Sequence, residues 1–268
     1  MKAVINIVFF IILIFFTSCT NPNIEEHDFN LEDIVYVSAG NASSFTIQRD
    51  GTLWVWGANS SGQHGNNESS HFSVPGLTYT MIMDNVRSVS ANGSGAVSGL
   101  AGHVLAIKDD DTLWGWGNNE VGQLGIVTYG DNQLYPAQIM EDVLYAFAGA
   151  SHSAVIKNDN ALWMFGCNCS GKLGDGTSLT ISANPIHVMD DAVAVSLGFM
   201  HTAVIKSDGS LYVWGSNEYG QIGNGTKDDS LLPVKIMDDV IAVSTGLNFT
   251  IAITSDNVLW GWGNNYFG

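Results

Sequence analysis

The sequence predicts an all-β fold made of small antiparallel sheets repeated in tandem and stacked face to face. Three observations predict it. One motif is written five times, as Leu53-Trp-Val-Trp-Gly57, Leu113-Trp-Gly-Trp-Gly117, Leu162-Trp-Met-Phe-Gly166, Leu211-Tyr-Val-Trp-Gly215 and Leu259-Trp-Gly-Trp-Gly263. It holds all eight tryptophans of the chain: Trp54, Trp56, Trp114, Trp116, Trp163, Trp214, Trp260 and Trp262. An Asn stands two residues past each closing Gly, at Asn59, Asn119, Asn168, Asn217 and Asn265, with spacings of 60, 49, 49 and 48 residues. A period near fifty marks stacked supersecondary units, as in a solenoid or propeller. Finally, the motif strands are apolar on both faces. Tyr212 and Trp214 point one way, and Leu211 and Val213 the other. A sheet wet on one face is not built so, whereas a sheet held between two others is.

The first nineteen residues stand apart from the array. Lys2 supplies a short positive region, and Ala3 to Phe16 form an apolar run broken only by Asn6. Such a run is too short to span a bilayer comfortably and has the length of a signal-peptide core. Thr17-Ser18-Cys19 follows it. Small residues before a Cys at the end of an apolar run resemble the lipobox of bacterial lipoproteins. The resemblance implies a signal peptide over 1–18 and a lipid on Cys19 that anchors the chain to a membrane, facing outside the cytoplasm. The alternative is an ordinary cleaved signal with an incidental Cys. Residues 19–33 carry Glu25, Glu26, Asp28, Glu32 and Asp33 and read as an acidic flexible tether.

The array occupies 35–268, and its fourth unit shows the plan. Val193 to Gly198 is a short strand, and His201 to Lys206 is a second. Asp208-Gly209 is a two-residue hairpin signal. Ser210 to Gly215 is the third strand, and Asn217 to Gly223 is a glycine-rich loop. Pro233 to Met237 is an edge-like fourth strand, with Pro where an edge tolerates it. Asp238-Asp239 turns the chain into the next unit. The hairpin signal recurs at Asp50-Gly51, Asp110-Asp111, Asp159-Asn160 and Asp256-Asn257, where turn chemistry explains the Asp. Each Trp is expected to fill the gap to a neighbouring sheet, a burial worth about 2–3 kcal/mol per ring. At Gly115 and Gly261 the backbone or a neighbour's ring is expected to approach closely.

Few side chains offer chemistry. His103, His152 and His201 fall in register, with Ser43 and Phe249 in the same place in the first and fifth units. A metal ring does not tolerate Phe, so each is read as a His bonded to backbone. Cys167 and Cys169 are read as small residues filling a loop. A bridge closing a Cys-x-Cys loop is strained, and a metal needs more ligands. Asp84, Glu141, Asp142, Asp190, Asp191, Asp238 and Asp239 recur once per unit, as turns do, whereas catalytic constellations are single and asymmetric. No Gly-x-Ser-x-Gly, His-Glu-x-x-His or phosphate loop is present. The chain is therefore read as non-enzymatic, with no cofactor and no metal.

Nine Lys and Arg against 26 Asp and Glu give a net charge of -17. That opposes nucleic-acid binding, which needs a basic stripe, and docking by charge on an anionic lipid surface, and it favours solubility or a basic protein partner. Asp190, Asp191, Asp238 and Asp239 are the candidate partner-binding rim.

The pattern Gly-x-x-His-Ser/Thr-Ala-Val-Ile, then Asp-Gly-x-Leu-Trp-x-Trp-Gly-x-Asn-x-x-Gly-Gln-Leu-Gly, resembles the regulator of chromosome condensation repeat family. Gly149 to Ile156, Gly198 to Ile205, Asp50 to Gly65, Asp110 to Gly125 and Asp208 to Gly223 carry the resemblance. It implies a β-propeller of four-stranded blades, usually seven. About four and a half units are present and the last stops inside its motif, so an incomplete, open ring is expected, as from a truncated product. By analogy with secreted bacterial members the family implies protein binding through propeller loops. Two other readings stay open: a guanine-nucleotide exchange or regulatory factor, as for the founding member, and a secreted hydrolase using the repeated carboxylates.

Overall fold

The computed structural model describes residues 33–40, 42–70, 79–93, 102–127, 130–178 and 181–266. Cys19, the signal sequence and the tether up to residue 32 lie outside the described residues. The chain forms five consecutive antiparallel sheets, or blades. Blade 1 comprises β1 (Ile34–Ala39), β2 (Ser43–Gln48), β3 (Leu53–Gly57) and β4 (Thr80–Met83). Blade 2 comprises β5 (Val86–Gly93), β6 (Gly102–Lys108), β7 (Leu113–Gly117) and β8 (Gln133–Met140). Blade 3 comprises β9 (Val143–Ala148), β10 (His152–Lys157), β11 (Leu162–Cys167) and β12 (Ile181–Met189). Blade 4 comprises β13 (Ala192–Leu197), β14 (His201–Lys206), β15 (Leu211–Gly215) and β16 (Ser230–Met237). Blade 5 comprises β17 (Val240–Thr245), β18 (Phe249–Thr254) and β19 (Leu259–Gly263). Strand order is sequential in every blade, and the innermost strands β1, β5, β9, β13 and β17 lie against one another in series. The ring is open, as the sequence predicts.

The register repeats from blade to blade. The motif's closing Gly pairs with the residue at the His position: Gly57 with Ser43, Gly117 with His103, Gly166 with His152, Gly215 with His201 and Gly263 with Phe249. Period-two alternation then sends Leu53, Val55, Phe45 and Ile47 toward blade 2, which answers with Val104, Ala106 and Trp116. Equivalent clusters fill the other three seams, around Phe165, Trp214 and Trp262. The core is thus four slabs between sheets rather than one central mass.

Two local expectations change, at the hairpins and at Gly115. The hairpins between the second and third strands are three-residue loops, not two-residue ones. In Ser207-Asp208-Gly209, the Gly209 amide donates to the Lys206 carbonyl at 2.9 Å and the Lys206 amide to the Ser210 carbonyl at 2.9 Å. The third loop residue is left-handed in every copy, at Gly51, Asp111, Asn160, Gly209 and Asn257. The Asp before it accepts the amide two residues on, at 2.9 Å from Ser210, so Asp fixes the turn through its side chain. At Gly115 no neighbour's ring approaches. A Cβ there would sit 2.6 Å from Ile139 Cδ1, a side chain of the same blade.

The tryptophans divide by position. Only Trp116 and Trp214 are fully buried, and Phe165 is their counterpart in blade 3. Trp54, Trp56, Trp114, Trp163 and Trp262 are half-buried, and Trp260 is exposed. In blades 2 to 5 the second aromatic of the motif points back to the preceding blade. Trp262 therefore belongs to the seam with blade 4, not to a face awaiting a following blade. The uncovered face of blade 5 is formed by Ile251, Ile253 and Leu259, all exposed.

Trp214 lies against Gly174 of blade 3, where a Cβ would come within 2.6 Å of the indole nitrogen. Gly174 also has a φ of +80°. Both the turn and the ring require glycine there. Truncating Trp214 to Ala is expected to cost about 3–5 kcal/mol in urea unfolding. Because a repeat array couples nearest neighbours, amide exchange should rise in blades 3 and 4 and least in blade 1. An unchanged unfolding midpoint would mean the seam does not depend on the ring.

Candidate functional site

Two features repeat around the array: a polar clamp at each seam and an acidic rim. The clamp centres on the main-chain carbonyl of the Gln position in the glycine-rich loop, held by Gln63, Gln123, Lys172 and Gln221. Trp116 donates its indole N–H to the Gln63 carbonyl at 2.8 Å, Trp214 to that of Lys172 at 2.9 Å and Trp262 to that of Gln221 at 2.9 Å. Hydroxyls of the next blade reach the same carbonyls: Ser153 to Gln123 at 2.7 Å, Thr202 to Lys172 at 2.9 Å and Thr250 to Gln221 at 2.8 Å. Phe165 has no N–H, so the second seam keeps only the hydroxyl. Val104 has no hydroxyl, so the first keeps only the indole.

The register histidines complete this clamp; at His103 and His152 a hydroxyl takes the place of the expected backbone partner, while His201 also bonds to the backbone of Phe249. His103 Nε2 lies 2.8 Å from Ser153 Oγ, His152 Nε2 3.4 Å from Thr202 Oγ1 and His201 Nε2 3.0 Å from Thr250 Oγ1. Each hydroxyl spends its own proton on the loop carbonyl, so the imidazole must be the donor, with its proton on Nε2. A chain from ring to hydroxyl to carbonyl thus crosses each of these seams. A Cβ on Gly198 would sit 2.6 Å from the His201 ring, which accounts for the Gly three residues before the His. Among the described residues no three His, Cys, Asp or Glu side chains gather as a metal site.

The repeat Asn residues shape the loop that offers the carbonyl. Asn59, Asn119, Asn168 and Asn217 each accept, through Oδ1, the amide five residues on, at 2.9–3.0 Å. Asn265, exposed, opens the fifth loop. These are structural roles, and so are those of the seam tryptophans. Cys167 and Cys169, expected as free residues filling the loop, are joined as a disulfide across Asn168, with Cα atoms 5.6 Å apart. The loop already curls back there, which brings the two side chains together.

The rim is assembled from two turn series that the sequence lists separately. The amides of Val86, Val143, Ala192 and Val240, each just after an inter-blade turn, donate to Gly51, Asp111, Asn160 and Gly209 in the hairpin of the preceding blade. Both series therefore share one edge. It gathers Asp190, Asp191, Asp238 and Asp239 with the hairpin carboxylates Asp208 and Asp256. Asp142, Asp191 and Asp239 are left-handed, as is Asn85, so the second member of each pair is set by the turn. Hydroxyls of Thr52, Thr112, Ser210 and Thr254 donate to Asp50, Asp110, Asp208 and Asp256 and hold these carboxyls below their usual range.

Cations temper the rim without cancelling it. Lys108 lies 3.8 Å from Asp84, Lys157 3.8 Å from Asp142, Lys206 3.6 Å from Asp191 and Lys235 2.6 Å from Asp238. His187 lies 2.9 Å from Asp190. Asp239 makes no ion pair among the described residues. Such exposed pairs contribute about 0–1 kcal/mol each, and the acid side chains stay open to solvent. Among the described residues, the rim is a carboxylate surface without a buried acid–base pair.

The histidines make stability depend on pH. Burial pushes His103 down to about 3 and His201 down to about 4. Burial first, then nearby Lys172, drives His152 well below the ordinary imidazole value. Depressed folded values mean that the unfolded chain takes up protons first. The stability they confer is complete above about pH 6.5 and is lost as pH falls toward 4 and 3. By about pH 5, His103 and His201 should each have withdrawn about 2 kcal/mol. Urea unfolding across this range should be steep for the wild type and flatter for His103→Gln/His201→Gln. Parallel slopes would exclude the histidines as the cause.

Comparison with known proteins follows the same lines. Residues 17–268 match the family described as RCC1-like domain. The chain is 32% identical over 107 residues to E3 ubiquitin-protein ligase HERC2 of Homo sapiens, covering 40% of this chain and 2% of that protein. It is 30% identical over 99 residues to Protein RCC2 of Mus musculus, covering 37% of this chain and 18% of that protein. Among solved structures, human WBSCR16 superposes with a TM-score of 0.67 at 24% identity, over 82% of this chain and 57% of that one. Yeast RCC1 (Prp20), solved bound to Kap60, superposes with a TM-score of 0.66 at 19% identity, over 86% of this chain and 56% of that one. The chain therefore spans a small part of these curated relatives and just over half of these solved propellers. The structural likeness establishes the fold.

Proposed function

We propose that this chain, which belongs to the RCC1-like domain family, is a non-enzymatic scaffold that captures a basic protein partner on its acidic rim. The observation that carries the reading is the convergence of two turn series on one edge, which turns scattered Asp residues into a continuous carboxylate surface. Protein capture is also in keeping with the yeast propeller, which has been solved bound to Kap60. The register His and the seam Trp are spent on holding blades together and the repeat Asn on shaping their loops, and among the described residues these side chains offer no acid–base pair for hydrolysis.

Neutralising Asp190, Asp191, Asp238 and Asp239 to Asn is the direct test. Asn tolerates the left-handed turn, so stability should stay within about 0.5 kcal/mol. Association with a lysine-rich peptide should weaken about tenfold, and wild-type association should slow steeply as salt rises. Equal binding by both proteins, or indifference to salt, would remove the rim as the docking surface.

The scaffold is further proposed to stand at the bacterial cell envelope, tethered by lipid on Cys19. Support comes from the apolar run that ends at Thr17-Ser18-Cys19. Expressed in a bacterial host, the wild type should take up a fatty-acid probe and Cys19→Ser should not. Equal labelling of the two would defeat the anchor.

A further inference from the structure

The third glycine-rich loop is built differently from its sisters. In blades 1, 2 and 4 the Gln side chain closes the loop on itself. Gln63 Oε1 accepts the Ser61 amide at 2.8 Å, Gln123 Oε1 that of Val121 at 3.0 Å and Gln221 Oε1 that of Tyr219 at 2.9 Å. Blade 3 carries Lys172 there, and an ammonium group accepts nothing. Its Nζ instead reaches the Ser151 hydroxyl at 2.8 Å and the Phe199 carbonyl of blade 4 at 3.3 Å. The amide that a Gln would have held belongs to Ser170, and Ser170 alone among the four equivalent residues is left-handed, at φ 58°. The same loop alone carries the Cys167–Cys169 disulfide, spanning Asn168.

What this loop holds is the seam to blade 4. Its Lys172 carbonyl accepts both Trp214 and Thr202. This seam also lacks a support found in the others. Ser38, Ser90 and Ser196 accept inner-strand amides of the following blade, from Ala91, Ala148 and Thr245. Blade 3 has Phe147 at that register.

We propose that the Cys167–Cys169 disulfide replaces the missing Gln lock, and that the seam between blades 3 and 4 is therefore gated by thiol–disulfide exchange. A dithiol reductant would open it. One thiolate attacks a loop sulfur, the second thiol resolves the mixed disulfide, and the reductant leaves oxidised while Cys167 and Cys169 gain two electrons and two protons. The freed loop no longer fixes the Lys172 carbonyl, and blade 4 loosens from blade 3 while the first two blades stay closed.

The test is hydrogen exchange on the intact chain with and without a dithiol reductant, alongside thiol counting. The oxidised wild type should show no titratable thiol at Cys167 or Cys169. On reduction, segments 162–176 and 201–215 should exchange about tenfold faster, with 43–57 and 103–117 unchanged. Cys167→Ser/Cys169→Ser should exchange at the reduced rate under both conditions. Adding Lys172→Gln to that double variant should restore slow exchange, because the Gln lock returns. Two free thiols in the air-oxidised protein, equal exchange in both redox states, or failure of Lys172→Gln to restore protection would each overturn the proposal.

Discussion

One main-chain carbonyl per seam, offered by the fourth residue past the repeat Asn, sets how each blade of this array docks on the last. It accepts an indole N–H, a hydroxyl or both from the following blade. Buried carbonyls must be satisfied, and these sit at the end of a loop with no strand partner. The next blade therefore does more than cover apolar surface: it completes the hydrogen bonding of the last. Apolar slabs supply most of the stabilisation, but they slide. The clamp sets the angle and height at which each blade docks.

The clamp also explains why the units vary in pairs. Val104 follows His103 in blade 2 because the preceding blade has Ser43 at the His position, with no imidazole to satisfy. Ser153, Thr202 and Thr250 appear in blades that follow a His. Phe165 forgoes the indole N–H in the seam where Ser153 still holds the carbonyl. Each seam keeps at least one donor. An array of this kind tolerates change at one position as long as the facing position answers it.

Much of the fold was legible in the sequence because its signals are local and repeated. Strand, hairpin and loop positions follow from the spacing of Trp, Gly and Asn, and the open ring follows from counting motifs. What stayed hidden depends on contacts between units. The hydroxyl residue after the His position in blades 3 to 5, Ser153, Thr202 and Thr250, reads as strand filler until it is seen crossing the seam. The histidine partners were misjudged for the same reason: a bond to the next blade has no signature within one unit. The second aromatic of the motif in blades 2 to 5 points backward along the chain, a direction that alternation alone does not give. Of the candidate site, the Asp residues were named correctly as turn formers. Only the shared edge of the two turn series makes them one surface.

Repetition also shapes what such a chain can do. Any side chain placed at a turn recurs at equal steps along one edge, so a modest excess of Asp becomes an extended field rather than a point site. A surface of that kind suits a partner with distributed positive charge. It does not concentrate strain, burial and opposed protonation states in one cleft, as acid–base catalysis requires. Asymmetry enters where one unit departs from its sisters, and blade 3 departs most: Phe165 for Trp, Lys172 for Gln, Phe147 for Ser and a disulfide found in no other unit. Four departures in one unit all bear on its own two seams. A reducing change acting on the disulfide would therefore be felt there first, while the rim of equivalent turns stayed the same on either side.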